Sequence, residues 1–155
     1  MIRKDKEIAD PAAIQKILRE APVLRIALAG DEPYIVPVSF ACADGFIYVH
    51  SARRGKKIDM LRRNGRVCFQ TDLHAETAAS DRACEWGMKY LSVIGTGEAF
   101  ITDDDAEKRK ALGLIMEKYS GRGDWTFEKK EVSSVLVIKI RVDSLTGKRS
   151  KLPAP

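Results

Sequence analysis

Two turns in the first third of the chain are too short to carry a parallel crossover. Gly30-Asp31-Glu32-Pro33 separates the β-rich runs 23–29 and 34–42, and Ala43-Asp44-Gly45 separates the second run from 46–51. Parallel neighbours need a connection of about a dozen residues or more, whereas antiparallel neighbours join through two to five. The first half of the chain is therefore built from antiparallel strands.

Further β-rich runs occupy 66–72, 88–102 and 135–142. In 88–102, Tyr90, Ser92, Ile94 and Thr96 fall on one face, and Leu91, Val93, Gly95 and Gly97 on the other. Gly95-Thr96-Gly97 predicts a bulge or sharp bend of the kind barrels need. Three helices are expected. Asp10-Pro11 supplies an N-cap and a first-turn proline, followed by Ile14, Ile17, Leu18 and Ala21 and stopped at Pro22. A second helix covers about 55–64 with Ile58 and Leu61 inward. The third opens at Asp103-Asp104-Asp105, buries Leu112, Ile115, Met116 and Tyr119, and closes at Gly121 and Gly123. Residues 73–87 show no period and read as a long excursion, and 144–155 as a polar C-terminal tail. The expectation is a single domain, 1–155, forming an antiparallel barrel decorated by about three helices.

No run of about 18 uncharged apolar residues exists, so no spanning helix is expected. Met1-Ile2-Arg3-Lys4-Asp5-Lys6-Glu7 has no apolar stretch behind it, so no signal peptide is expected. Cys42, Cys68 and Cys84 are widely spaced with no C-x-x-C pair, which predicts neither disulfides nor zinc and suits a reducing cytoplasm. Cys42 and Cys68 fall in β-rich runs and are expected to be buried.

The charge is unevenly spread. Residues 53–66 hold seven Lys or Arg against Asp59 alone, a net +6, while the whole chain is +5. This segment follows the run Phe46-Ile47-Tyr48-Val49-His50-Ser51 and starts a helix at Gly55. Lys56 and Lys57 fall in its first turn, where cations oppose the helix dipole. A hydroxyl, a glycine and a helix start ringed by cations make a site for a phosphate; a solvated basic face is the alternative.

Other residues that suggest chemistry are few. His50 ends its strand beside the anion site, and His74 reads as a surface residue. With two histidines and no metal-ligand spacing, no metal site is expected. Pro37 interrupts a β-rich run, which requires an edge strand or a ligand beside it. Trp86 and Tyr90, in Cys84-Glu85-Trp86-Gly87-Met88-Lys89-Tyr90-Leu91-Ser92, can stack on a planar ligand or a partner, or sit in the core. Gly55-Lys56-Lys57 lacks the rest of a Walker loop, Gly95-x-Gly97 lacks a third glycine, and no G-x-S-x-G elbow occurs.

Taken together, Pro37-Val38-Ser39-Phe40, Tyr48-Val49-His50-Ser51-Ala52 with Gly55-Lys56-Lys57, and Arg66-Val67-Cys68-Phe69 resemble the flavin-binding split-barrel superfamily typified by pyridoxamine 5′-phosphate oxidase. Residues 81–95, with their tryptophan motif, resemble its 5-nitroimidazole resistance branch, Leu91 standing where that branch has a polar residue. The resemblance implies a mainly β, six-stranded antiparallel FMN-binding split barrel of Greek-key type. It also implies a homodimer with FMN at the interface. The phosphate would take Ser51, Lys56 and Lys57. The ring would lie along Val36, Pro37, Val38 and Ser39, with Tyr48 and His50 among the contacts and Trp86, Tyr90 and Ser92 approaching from the other subunit. His50 is the candidate proton donor or substrate contact.

The implied activity is reduction of a small nitroaromatic acceptor through flavin, with NADH or NADPH as donor. Two other classes stay open. One is a haem- or other planar-ligand-binding protein of the same fold. The other is a nucleic-acid or phospho-ligand module using 53–66, whose binding would weaken steeply with salt. No nucleic-acid or membrane partner is expected.

Overall fold

A computed structural model describes residues 3–155, so Met1 and Ile2 of the expected leaderless start lie outside the described residues. The elements are β1 (Glu7–Ile8), α1 (Pro11–Glu20), β2 (Leu24–Leu28), β3 (Tyr34–Val38), β4 (Ala41–Ala43), β5 (Phe46–Ala52), α2 (Lys56–Arg63), β6 (Arg66–Ala78), β7 (Gly87–Thr102), α3 (Asp105–Ser120), α4 (Lys129–Ser134) and β8 (Val135–Ser150). All strand pairs are antiparallel. Their order is β3-β2-β6-β7-β8-β5-β4, with β1 added on β8.

The turns act as their residues dictate. Asp44 and Gly45 both take positive φ (53° and 79°) in the two-residue β4–β5 hairpin, the mirror-image turn that matches strand twist. Asp10 caps α1 by accepting from the Ala12 N–H at 2.9 Å. Asp104 caps α3 by accepting from the Glu107 N–H, and Gly121 ends that helix in the left-handed region.

Closure follows from one short link. β3 and β4 are the two end strands of the order, yet only Ser39 and Phe40 separate them. Three residue steps span at most about 11 Å, so the sheet must curl until its ends nearly meet, leaving a split between them. The run expected as one strand, 34–42, is thus two pieces that serve opposite edges. Phe40 sits fully buried at the crossing, where its N–H donates to the Tyr119 hydroxyl at 3.1 Å.

Inside lie Leu24, Ile26, Phe69, Val93, Ile138 and Ile140, packed with Ile17 and Leu18 of α1 and Ile58 of α2. Gly95 and Gly97 admit neighbours that no side chain would. A Cβ on Gly95 would lie 2.4 Å from the Phe69 ring, and one on Gly97 2.3 Å from the Arg141 carbonyl oxygen. The expected bend is there, as a register shift between Thr96 and Gly97.

Several expectations are corrected. β6 runs on to Ala78, so 73–78 of the expected 73–87 excursion is strand, with a register shift between Leu73 and Glu76 where His74 takes φ 54°. Residues 144–150 are not a tail. They extend β8 along Tyr90–Thr96 of β7, their polar character reflecting an outward face, while Gly147 lies under Ile8 and Ile14. A fourth helix, α4, is set by a reciprocal cap between Glu128 and Glu131 and carries one buried residue, Val132, too little for a periodic signal. On α3, Ile115 is buried as expected, but Leu112 and Met116 are half-buried and Tyr119 is exposed. Cys68 is exposed and Cys42 partly buried. No helix among the described residues is long and apolar enough to cross a membrane.

Candidate functional site

β5 delivers the chain to the start of α2 through Gly55, whose φ of 127° is unfavourable for any side-chain-bearing residue. Gly55 is also the N-cap, so no side chain satisfies the first N–H groups of α2. Lys57 stands in that first turn, half-buried. Burial lowers its ammonium pKa, and no carboxylate lies within ion-pair distance among the described residues. His50 is its neighbour. Its pKa is lowered first by desolvation and then by the Lys57 charge, so the imidazole is neutral at pH 7. His50 and Ser51 lie on opposite faces of β5: His50 outward opposite Val137, Ser51 inward and only 6% exposed.

The rest of the basic run is split by the fold. Lys56 ion-pairs with Glu32 at 3.5 Å and lies 4.8 Å from the centre of the Tyr34 ring, across a cleft of about 400 Å³ between α2 and the β2–β3 turn. Arg53 donates to Asp103 Oδ1 at 2.8 Å and to the Ser133 carbonyl at 3.0 Å. Lys108, nearly inaccessible on α3, joins the same carboxylate at 2.8 Å. Hydrogen bonds from Arg53 and then Lys108 hold the Asp103 carboxyl well below the usual range. Arg66 pairs with Asp143. Structural ion pairs therefore absorb Arg53, Arg66 and Lys56, leaving Lys57 as the half-buried cation of the segment.

β3 is an edge strand, which accounts for Pro37 without a ligand. Pro37 and Ile35 face outward, Ile35 being 60% exposed, while Val36 and Val38 pack against the core. Ser39 is exposed in the split between β3 and β4. Tyr48 does not join this set. It is 1% exposed, sealed on the outer face with Val137 beneath Ala111 of α3, because β5 passes under that helix before emerging at His50.

A second outer-face cluster forms on β6, β7 and β8. Gln70, Asp72, Met88, Tyr90, Ser92 and Lys148 surround a shallow, largely apolar groove of about 400 Å³. Arg25 of β2, paired in register with Pro37, bridges to it by donating to Asp72 Oδ1 at 3.0 Å. Trp86 stands 55% exposed at the hairpin tip, where its indole N–H donates to the Ser80 carbonyl at 2.6 Å. Tyr90 and Ser92 thus line this groove, Trp86 does not, and Lys56 lines a different cleft that shares no residue with it. Sequence reasoning missed Gln70, Asp72, Arg25 and Lys148. The alternate polar positions of β6 were the available signal, but only pairing to β2 and β7 shows which groove they line.

An antiparallel barrel split between its end strands, with a cation-bearing helix start beside the last residues of β5, defines the split-barrel class. The chain belongs to the pyridoxamine 5′-phosphate oxidase family, whose profile matches residues 10–149. It is similar to a candidate 5-nitroimidazole antibiotic resistance protein from Bacteroides thetaiotaomicron, at 31% identity over 92% of this chain and 85% of that one, with a TM-score of 0.81. In fold it resembles an FAD- and haem-binding protein from Mycobacterium smegmatis (16% identity, 97% of this chain and 76% of that one, TM-score 0.83). An FAD-binding protein from Mesorhizobium loti is a further structural relative (24%, 92% and 96%, TM-score 0.68). No curated protein gives a significant sequence match.

Proposed function

We propose that this protein is an FMN-dependent oxidoreductase that passes electrons from NADH or NADPH to a small nitroaromatic acceptor. The observation that carries the reading is Lys57, a half-buried ammonium without a carboxylate partner at a helix start whose N–H groups have no side-chain cap. Burying a cation in this way costs stability unless an anion completes it, and a phosphate monoester has the charge and acceptors to do so. The donor set fits that group: Lys57 and the α2 N–H groups first, Lys56 after exchanging Glu32 for the phosphate, and the Ser51 hydroxyl at the strand end.

When bound, the isoalloxazine of FMN supplies the electron-transfer chemistry. The chain's residues hold and shield it. The ring would lie along the backbone of Val36, Pro37, Val38 and Ser39 at the edge of β3, with the exposed Pro37 and Ser39 side chains outward and Val36 and Val38 packed on the core behind them. His50 is positioned to exchange a proton through its ring nitrogens, and its lowered pKa keeps one of them free to accept a proton at neutral pH. Trp86, Tyr90 and Ser92 reach a flavin in our reading only across a homodimer. The exposed outer-face residues Ile35, Met88 and Ile94 (60%, 44% and 52%) supply apolar surface for that pairing. Likeness to the Bacteroides protein supports a nitroimidazole-type acceptor.

The test is the absorbance spectrum of freshly purified protein, with identification of the small molecule released on denaturation, then anaerobic reduction by NADH or NADPH with a nitroimidazole. A flavin spectrum with FMN released supports the proposal. A Soret band would instead favour a haem protein, as in the flavin- and haem-binding structural relative. A colourless protein that refuses added FMN overturns it.

A further inference from the structure

Away from the α2 site, α3 carries a second unusual lysine. Lys118 Nζ lies 3.3 Å from the centre of the Phe40 ring and donates to the Leu18 carbonyl at 3.2 Å. It lines a cavity of about 310 Å³ between α1, β4 and α3, with Arg19, Ala41, Cys42, Leu114 and Glu117. A further cavity of about 350 Å³ shares Arg19 and Cys42 and extends toward Asp44 and Gly45. Among the described residues no carboxylate lies within ion-pair distance of the amine, which sets it apart from Lys108, Lys110 and Lys139.

We propose that Lys118 is a reactive amine that takes an acyl group from small anionic acyl donors, acyl phosphates being the class that fits, with Arg19 drawing in the phosphate. The neutral Nζ attacks the carbonyl carbon and the C–O bond to phosphate breaks. Inorganic phosphate leaves with the electron pair, the displaced N–H proton goes to solvent, and an amide remains. No electrons are exchanged. Neither half of the amphipathic cavity is wasted: its Leu114 and Ala41 wall suits the acyl chain, and Arg19 the anion.

Burial lowers the Lys118 pKa to about 8, the nearby Cys42 thiol opposing the shift slightly. Burial likewise pushes that thiol up to about 11, so in this cavity the amine and not the thiol is the available nucleophile at neutral pH. The charged or titratable groups facing the site are Arg19 from α1, Cys42 from β4, and Glu117 and Tyr119 from α3.

The purified full chain, with whatever cofactor it carries, is incubated with acetyl phosphate, and acetylation of each lysine is followed by peptide mass spectrometry between about pH 7 and pH 10. Lys118 is expected to react about tenfold faster than exposed Lys16 and Lys130 near neutrality, its rate levelling off above about pH 8.5 while theirs keep rising. Arg19→Gln should slow Lys118 several-fold and leave Lys130 unchanged. The proposal is overturned if Lys118 in the folded wild type reacts no faster than Lys130 at neutral pH, or if its rate rises through pH 10 as theirs do. An unchanged Lys118 rate in Arg19→Gln overturns the anion-docking role. None of these outcomes depends on the flavin.

Discussion

Replacing Lys57 with glutamine removes one charge from the start of α2 and keeps a side chain of similar length. Because the unliganded lysine has no ion pair to surrender and its desolvation has already been incurred on folding, nearly all of a new charge-assisted bond to phosphate counts toward binding. Such bonds contribute about 1.5–3 kcal/mol, and each 1.4 kcal/mol is tenfold in affinity. Lys57→Gln should therefore weaken FMN binding by about 10- to 150-fold. Lys56→Gln should cost less, about 2- to 30-fold, because Lys56 gives up an exposed ion pair with Glu32 worth at most about 1 kcal/mol. Riboflavin has the same ring and no phosphate, so both variants should bind it within about twofold of the wild type. Quenching of flavin fluorescence on titration with flavin-free protein reads all six affinities, and added salt should narrow the FMN difference. If Lys57→Gln weakened riboflavin as much as FMN, or left FMN untouched, α2 would not be the phosphate site.

Four further outcomes follow from the packing and the titrating groups. The lowered His50 pKa means that the unfolded chain binds more protons than the folded one once pH falls below about 6.5. Stability should then decline as pH drops from there through the folded pKa, with a shallower decline in His50→Gln, read by urea unfolding at several pH values. Gly97→Ala forces a Cβ to 2.3 Å from the Arg141 carbonyl and 2.9 Å from Ile140 and should destabilise by about 2–3 kcal/mol; Gly113→Ala in α3 meets open space and should stabilise by up to about 1 kcal/mol, both by denaturant midpoints. Tyr119→Phe removes the acceptor of the buried Phe40 N–H and a donor to the Pro22 carbonyl, so thermal unfolding should show a loss of about 1–2 kcal/mol.

Much of the fold was legible because its instructions are local. Turn length made 30–33 and 43–45 antiparallel connections, Asp10-Pro11 and Asp104 marked helix starts, and Gly95 and Gly97 marked the bend, each within a few residues of the structure it causes. The phosphate-site candidates were legible for the same reason, since strand, glycine and cations are contiguous from Phe46 to Lys57. What the chain could not disclose by itself depends on contacts made across it. Which cations remain available was decided by Asp103 reaching Arg53 and by Asp143 reaching Arg66, partners 50 and 77 residues away. Tyr48 was withdrawn from the surface by α3, and 144–150 became strand only because β7 offered an open edge. Local backbone chemistry acts before the barrel closes. Burial, ion pairing and the faces of strands are settled only when closure brings distant segments to within a few ångströms, where desolvation and Coulomb attraction take effect.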